Sequence, residues 1–166
     1  MSPGAEQIVA AIRGWQAETP PPLVVAIDGY GASGKTTLAL EVTLALDAAP
    51  VHMDEFFDDV PVSAGDGRPM SRYYDWDGLR WGTLEPTIAY ASPLILVEGV
   101  SSASPALADL ITHTIFVATP EPVRLKRLHE RIADEDWDED WLAEERVYFA
   151  SRPPESFDLI VPGFTL

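Results

Sequence analysis

One octapeptide limits what this chain can become: Gly29-Tyr30-Gly31-Ala32-Ser33-Gly34-Lys35-Thr36. An apolar run, LVVAID at 23–28, leads into it, and a stretch with helical character leaves it from about Gly34 to Leu46. The pattern G-x-x-x-x-G-K-[ST] between strand and helix is a phosphate loop, or Walker A motif. Its glycines let the backbone turn so that successive N–H groups point inward at phosphate oxygens, and the following helix offers its positive end to the same anion. The geometry needs a buried strand before the loop and a helix after it, which makes the fold α/β. The contacting set expected for a bound nucleotide is Gly29, Gly31, Ala32, Ser33, Gly34, Lys35, Thr36 and Thr37. Lys35 is expected to reach the β- and γ-phosphates of ATP, and the Thr36 hydroxyl to ligate Mg²⁺.

The rest of the chain repeats strand and helix. Residues 5–17 read as a helix closed by Thr19 and Pro20–Pro22, and Val51–Asp54 as a short strand. Residues 55–74 read as loop, with short helices around 75–82 and 84–91. Strands follow at 94–99 and 112–119, then a helix from Pro122 to about Arg131. An acidic, weakly structured stretch at 134–140 precedes a helix in WLAEERVYFA and a last strand at 157–161. This alternation predicts one domain, 1–166, with a parallel sheet covered on both faces.

Charge narrows the partners. Lys plus Arg number 11 against 27 acids, for a net charge of −16. Such a surface repels phosphate backbones, so nucleic acid is not expected as a partner. A bound anion must then be held by a local concentration of cations. The longest apolar runs are too short to span a bilayer and no signal-peptide pattern opens the chain, so neither membrane nor export is expected. There is no cysteine, which fits a reducing compartment, and the expected localisation is cytoplasmic.

Three further groups point to phosphoryl transfer. Asp54 lies at the carboxyl end of the second strand, where open α/β sheets bind ligands, and can take the proton of an attacking hydroxyl or help hold Mg²⁺. Glu55 is the competing assignment. Glu98 ends the strand LILVE and stands where a carboxylate polarises a metal-bound water. Arg124, Arg127 and Arg131 share a helical face and can close over a triphosphate, as a lid spanning about 124–141. The bland alternative pairs them with Glu121, Glu130, Asp134 and Glu135. Arg72-Tyr73-Tyr74-Asp75-Trp76 is dense in aromatics and offers a stacking surface for an acceptor. Asp28, directly before the loop, is expected to brace it or to contact metal-bound water. The histidines are scattered without zinc spacing.

IDGYGASGKTTLA at 27–39, MDEFF at 53–57, YYDWDGL at 73–79, LVEG at 96–99 and RLKRLHERIAD at 124–134 together resemble the uridine kinase-like group of P-loop kinases. EERVYF at 144–149 and FDLIV at 157–161 extend the resemblance. It implies a three-layer fold with a five-stranded parallel sheet in the order 2-3-1-4-5 and helices on both faces. It also implies an ATP- and Mg²⁺-dependent kinase acting on an alcohol. On this resemblance Asp54 activates the acceptor hydroxyl, while Arg127 and Arg131 belong to the lid. The acceptor segment falls at about 55–91, with Phe57, Arg72, Tyr74, Asp75, Trp76 and Glu98 beside Asp54, and the metal set is Thr36, Asp54 and Glu98. Uridine kinases carry a longer acceptor-reading region than this chain. A nucleoside, a monophosphate, and a sugar- or antibiotic-like alcohol all remain open as acceptors, as does a nucleotide-binding regulator without transfer. The expected assembly is a monomer or homodimer.

Overall fold

The computed structural model describes residues 1–57, 67–90, 92–131 and 139–163. Five strands form one parallel sheet in the order β2-β3-β1-β4-β5. They are β1 (Leu23–Asp28), β2 (Ala49–His52), β3 (Leu94–Glu98), β4 (His113–Ala118) and β5 (Leu159–Pro162). The helices are α1 (Pro3–Glu18), α2 (Lys35–Leu46), α3 (Glu85–Ala89), α4 (Glu121–Arg131) and α5 (Glu139–Ser151).

Continuous apolar runs become central strands because both sheet faces are covered. Every residue of β1 is buried, and alternate side chains serve two separate cores. Leu23, Val25 and Ile27 pack with Ile8 and Ile12 of α1 and Leu38 and Val42 of α2. Val24 and Ala26 face the opposite core, with Leu79, Leu84, Tyr148 and Phe149. The split repeats in β3, where Leu94 and Leu96 face one side and Ile95 and Val97 the other.

Several boundaries differ from the sequence reading. The second strand is Ala49–His52, and Met53–Phe56 is a 3₁₀ turn, so Asp54 stands just past the strand. Two short helices between 75 and 91 are instead one run, a π-helical stretch Gly78–Leu84 continuing into α3. Of the expected acceptor segment, 58–66 and Ala91 lie outside the described residues, as do 132–138 of the expected lid.

Register sets the carboxyl edge of the sheet. Ile27 and His52 both pair with Glu98, and Asp28 pairs with Phe116. Gly99 then turns the chain at φ +143, and a β-carbon there would overlap the Met53 side chain. Gly99→Ala is therefore expected to cost about 1–3 kcal/mol, as overpacking plus backbone strain, in a denaturant titration. Because Met53 is next to Asp54, activity should fall with stability.

Candidate active site

Gly34 stands at the N-terminus of α2 in a left-handed conformation, φ 95, and Ala32 is also left-handed at φ 59. These bends curl the loop around the start of α2. Lys35 is only 7% exposed, and its Nζ donates to Tyr30 O at 2.9 Å. Burial lowers the Lys35 pKa, opposed by the nearby Asp28, Glu98, Glu145 and Asp54 carboxylates. The Thr36 hydroxyl lies 3.2 Å from both Glu98 oxygens, and His52 Nδ1 lies 2.8 Å from Glu98 Oε1.

Two cavities adjoin the loop. The smaller, about 250 Å³, is lined by the loop with Lys35, Thr36 and Thr37, and by Asp54, Glu98, Arg131 and Trp141. Glu55 is exposed and is not among its lining residues. The larger, about 680 Å³, opens beside Tyr30 and is bounded by Phe116, Thr119, Pro120, Arg124 and Pro154.

Helix α4 holds the loop from outside. The Arg124 guanidinium sits 4.3 Å from the Tyr30 ring centroid and donates to Gly31 O at 3.3 Å. Arg127 donates to Ala32 O at 3.2 Å, and Arg131 reaches the smaller cavity. Arg124 and Arg127 thus each donate to a carbonyl of the phosphate loop.

Part of the expected acceptor set is placed differently. Arg72 pairs with Glu144 at 2.6 Å and donates to Tyr73 Oη at 2.8 Å. Tyr74 is buried and its hydroxyl donates to Val100 O. Asp75 Oδ1 accepts from Gly78 N, and Trp76 Nε1 donates to Ser71 O. These four side chains lie outside the smaller cavity's lining, and their polar atoms are engaged by partners on the same segment, on α5 and, for Tyr74, in the turn after β3. Phe57, 38% exposed, instead stacks against Tyr73 and meets Trp141 edge-on.

Asp28, read in the sequence as a brace for the loop, and two residues not singled out there, Ser101 and Glu145, shape the site. Asp28 is fully buried and accepts from Gly29 N, Ser101 N, Ala103 N and Tyr148 Oη. It thus braces the turn after β3 as well as the loop. Burial raises its pKa, against the pull of the Tyr148 hydrogen bond, the backbone donors and Lys35. Ser101, left-handed at φ 65, is the second turn residue whose N–H reaches Asp28. Glu145 of α5 accepts from Gly31 N at 2.6 Å. Nothing in the sequence separates Glu145 from the other acids, since its role comes from the way α5 packs on the loop.

Burial raises the Glu145 pKa, opposed by Gly31 N–H, Lys35 and Arg124 and reinforced by Asp28. A buried acid with a raised folded pKa is fully accommodated when protonated, and its contribution to stability falls as pH rises from the unfolded value through the folded one. Glu145→Gln removes the charge and keeps a carbonyl for Gly31 N–H. Its melting temperature should therefore gain on the unsubstituted protein as pH rises through that window, with the gap closing below it. A thermal melt series across pH reads this directly.

The residues present fit a hard cation. The Thr36 hydroxyl and the Asp54 and Glu98 carboxylates line one cleft, the oxygen donors Mg²⁺ prefers. Among the described residues no three His, Asp or Glu side chains form a protein-only cage.

Solved structures share this architecture. One described as a possible uridine kinase from Bacillus stearothermophilus superposes with a TM-score of 0.67 at 16% identity, covering 95% of this chain and 97% of that one. A candidate fructose transport system kinase from Silicibacter sp. TM1040 gives 0.64 at 22% identity, covering 98% and 100%. The chain has the P-loop kinase fold. Shikimate kinase from Bacteroides thetaiotaomicron is more distant, at 0.51 and 16% identity over 85% and 86%. No protein-family model matches the sequence, and no curated protein matches it significantly. Among the described residues no helix is long and apolar enough to cross a membrane.

Proposed function

We propose that the chain is an ATP-dependent phosphotransferase that moves a γ-phosphoryl group to a hydroxyl of a small molecule carrying no phosphate of its own. The observation that carries the reading is the smaller cavity, where the phosphate loop, Lys35, Thr36, Glu98 and Asp54 meet. The kinase names of the structural neighbours support the same reaction class.

The larger cavity offers Tyr30, Phe116 and the Arg124 side chain to a purine, and the loop N–H groups and Lys35 hold the phosphates in the smaller one. Mg²⁺, held by Thr36 with Glu98 and Asp54, supplies charge neutralisation to the phosphate oxygens when bound. Asp54 orients the acceptor hydroxyl and accepts its proton as the acceptor oxygen bonds to the γ-phosphorus and the bond to the β–γ bridging oxygen breaks, leaving ADP. Lys35, Arg127 and Arg131 stabilise the charge of the transferring group.

Cation placement favours an acceptor without phosphate. Of the three arginines between 55 and 91, Arg72 is paired with Glu144 and Arg80 with Asp109 and Glu85, while Arg68 has a partner of its own. A monophosphate acceptor needs a bidentate cationic clamp, and breaking these pairs would oppose it. Residues 58–66 add three acids and no base.

The test is Mg²⁺- and ATP-dependent ADP release against uridine, cytidine, D-fructose, D-gluconate, shikimate, an aminoglycoside and nucleoside monophosphates. Acceptor-dependent ADP release with one of the unphosphorylated alcohols is the expected result. Transfer to monophosphates alone would overturn the acceptor class. Tight ATP binding with no transfer to any compound would leave a nucleotide-binding regulator.

A further inference from the structure

One histidine at the carboxyl edge of the sheet takes no part in the chemistry described so far. His52 closes β2, an edge strand, and its register partner on β3 is Glu98. The two side chains meet there, with His52 Nδ1 2.8 Å from Glu98 Oε1. Two residues further on, the same segment brings Asp54 to the smaller cavity. Thr36 and Glu98 line that cavity as well, whereas His52 is not among its lining residues.

Glu98 is 4% exposed, and its oxygens meet two side-chain donors: Thr36 Oγ1, 3.2 Å from each, and His52 Nδ1. A carboxylate only accepts, so the imidazole nitrogen carries the hydrogen and donates it. The Thr36 oxygen is the one offered to the cation, which leaves the imidazole as the donor that fixes Glu98 from outside the cavity lining. The His52 side chain is 36% exposed, so water could serve it, yet it bonds a nearly buried acid. An imidazole N–H orients a carboxylate without the permanent charge that lysine or arginine would set against a cation. Partners that orient a metal ligand in this way change metal affinity by about 10–100-fold.

We propose that His52 is a positioning residue: its Nδ1–H holds Glu98 Oε1 and leaves Oε2 to the Mg²⁺ shell. This rests on the phosphotransfer reading above, in which Thr36, Glu98 and Asp54 hold the cation. His52 acts through Glu98 and touches neither nucleotide nor acceptor. The short segment 52–54 thereby serves the cation twice, through the carboxylate it carries and through the one it orients.

The probe is Mn²⁺ in place of Mg²⁺, titrated into the protein with adenylyl imidodiphosphate and followed by electron paramagnetic resonance. ADP release from ATP and Mg²⁺ with the acceptors named above is measured in parallel. His52→Ala should weaken Mn²⁺ binding to the nucleotide complex about 10–100-fold. His52→Asn, whose Nδ2 takes the branch position of the imidazole Nδ1, should recover most of that loss. In a Glu98→Ala background, His52→Ala should add less than about twofold, since a residue acting through another then has nothing to act on. Unaltered Mn²⁺ affinity in His52→Ala would overturn the proposal, and acceptor-dependent ADP release beside it would spare the phosphotransfer reading. Equal losses in His52→Ala and His52→Asn, or a full further loss on top of Glu98→Ala, would show a disturbed strand end and overturn it too. Recovery in His52→Asn with no ADP release for any acceptor would keep His52 as the support of a cation site and remove the phosphotransferase. Mn²⁺ held no more tightly by the unsubstituted complex than by free nucleotide would overturn both.

Discussion

Asp54→Asn is expected to lower kcat by about 10²–10⁴-fold, the range for loss of a positioned general base, while leaving ATP affinity close to its original value. The side chain stands in the 3₁₀ turn after β2, held there by the packing of Met53 against Gly99, and it lines the cavity shared with Lys35 and Thr36. The change keeps the volume of the side chain and removes its negative charge, and with it the ability to take a proton and to serve as an anionic oxygen donor to Mg²⁺. Glu55→Gln on the same turn is the control, because Glu55 is exposed and lies outside that cavity's lining; it should leave kcat within about twofold, as surface substitutions usually do. Single-turnover kinetics with the best acceptor separates the two. Equal losses in both variants would show a disturbed turn rather than a missing base, and full activity in Asp54→Asn would remove Asp54 from the chemistry.

Lys35→Met should be more damaging to binding. The variant keeps the buried stem and deletes the charge that Asp28, Glu98, Glu145 and Asp54 surround. With the cation gone, those carboxylates face an incoming triphosphate without compensation. kcat should fall by about 10²–10³-fold, the usual effect of removing one preorganised donor from a developing charge, and ATP affinity should fall with it. Equilibrium binding of a fluorescent ATP analogue together with ADP release would measure both. Unchanged affinity would mean that the loop does not hold the phosphates in the manner described.

Legibility in the sequence followed the range of the interactions. The phosphate loop is local: eight consecutive residues and their flanking apolar and helical periods carry its conformation, and the sheet order follows from the family that those residues resemble. The arginines of α4 were also readable as a stripe, since helical spacing alone aligns them. What the sequence could not place were contacts between segments far apart in the chain. Glu145 meets Gly31 across 114 residues and Tyr148 meets Asp28 across 120. Arg72 looked available for a ligand because its partner, Glu144, lies on a helix whose packing no local pattern specifies. The same blindness made Tyr74 and Trp76 look like a binding surface, although their polar atoms are satisfied by backbone carbonyls. The place of Asp54 at the carboxyl edge was legible, and the strand before it moved from Val51–Asp54 to Ala49–His52.

The contacts of α5 have a consequence for how this chain could be altered. Trp141 and Glu144 touch the acceptor side, and one turn later Glu145 and Tyr148 touch the phosphate loop and the carboxylate beneath it. A helix moves as a body, so a replacement that shifts the first pair carries the second with it. Selection for a new acceptor through replacements that shift α5 would therefore be read in the nucleotide affinity as well.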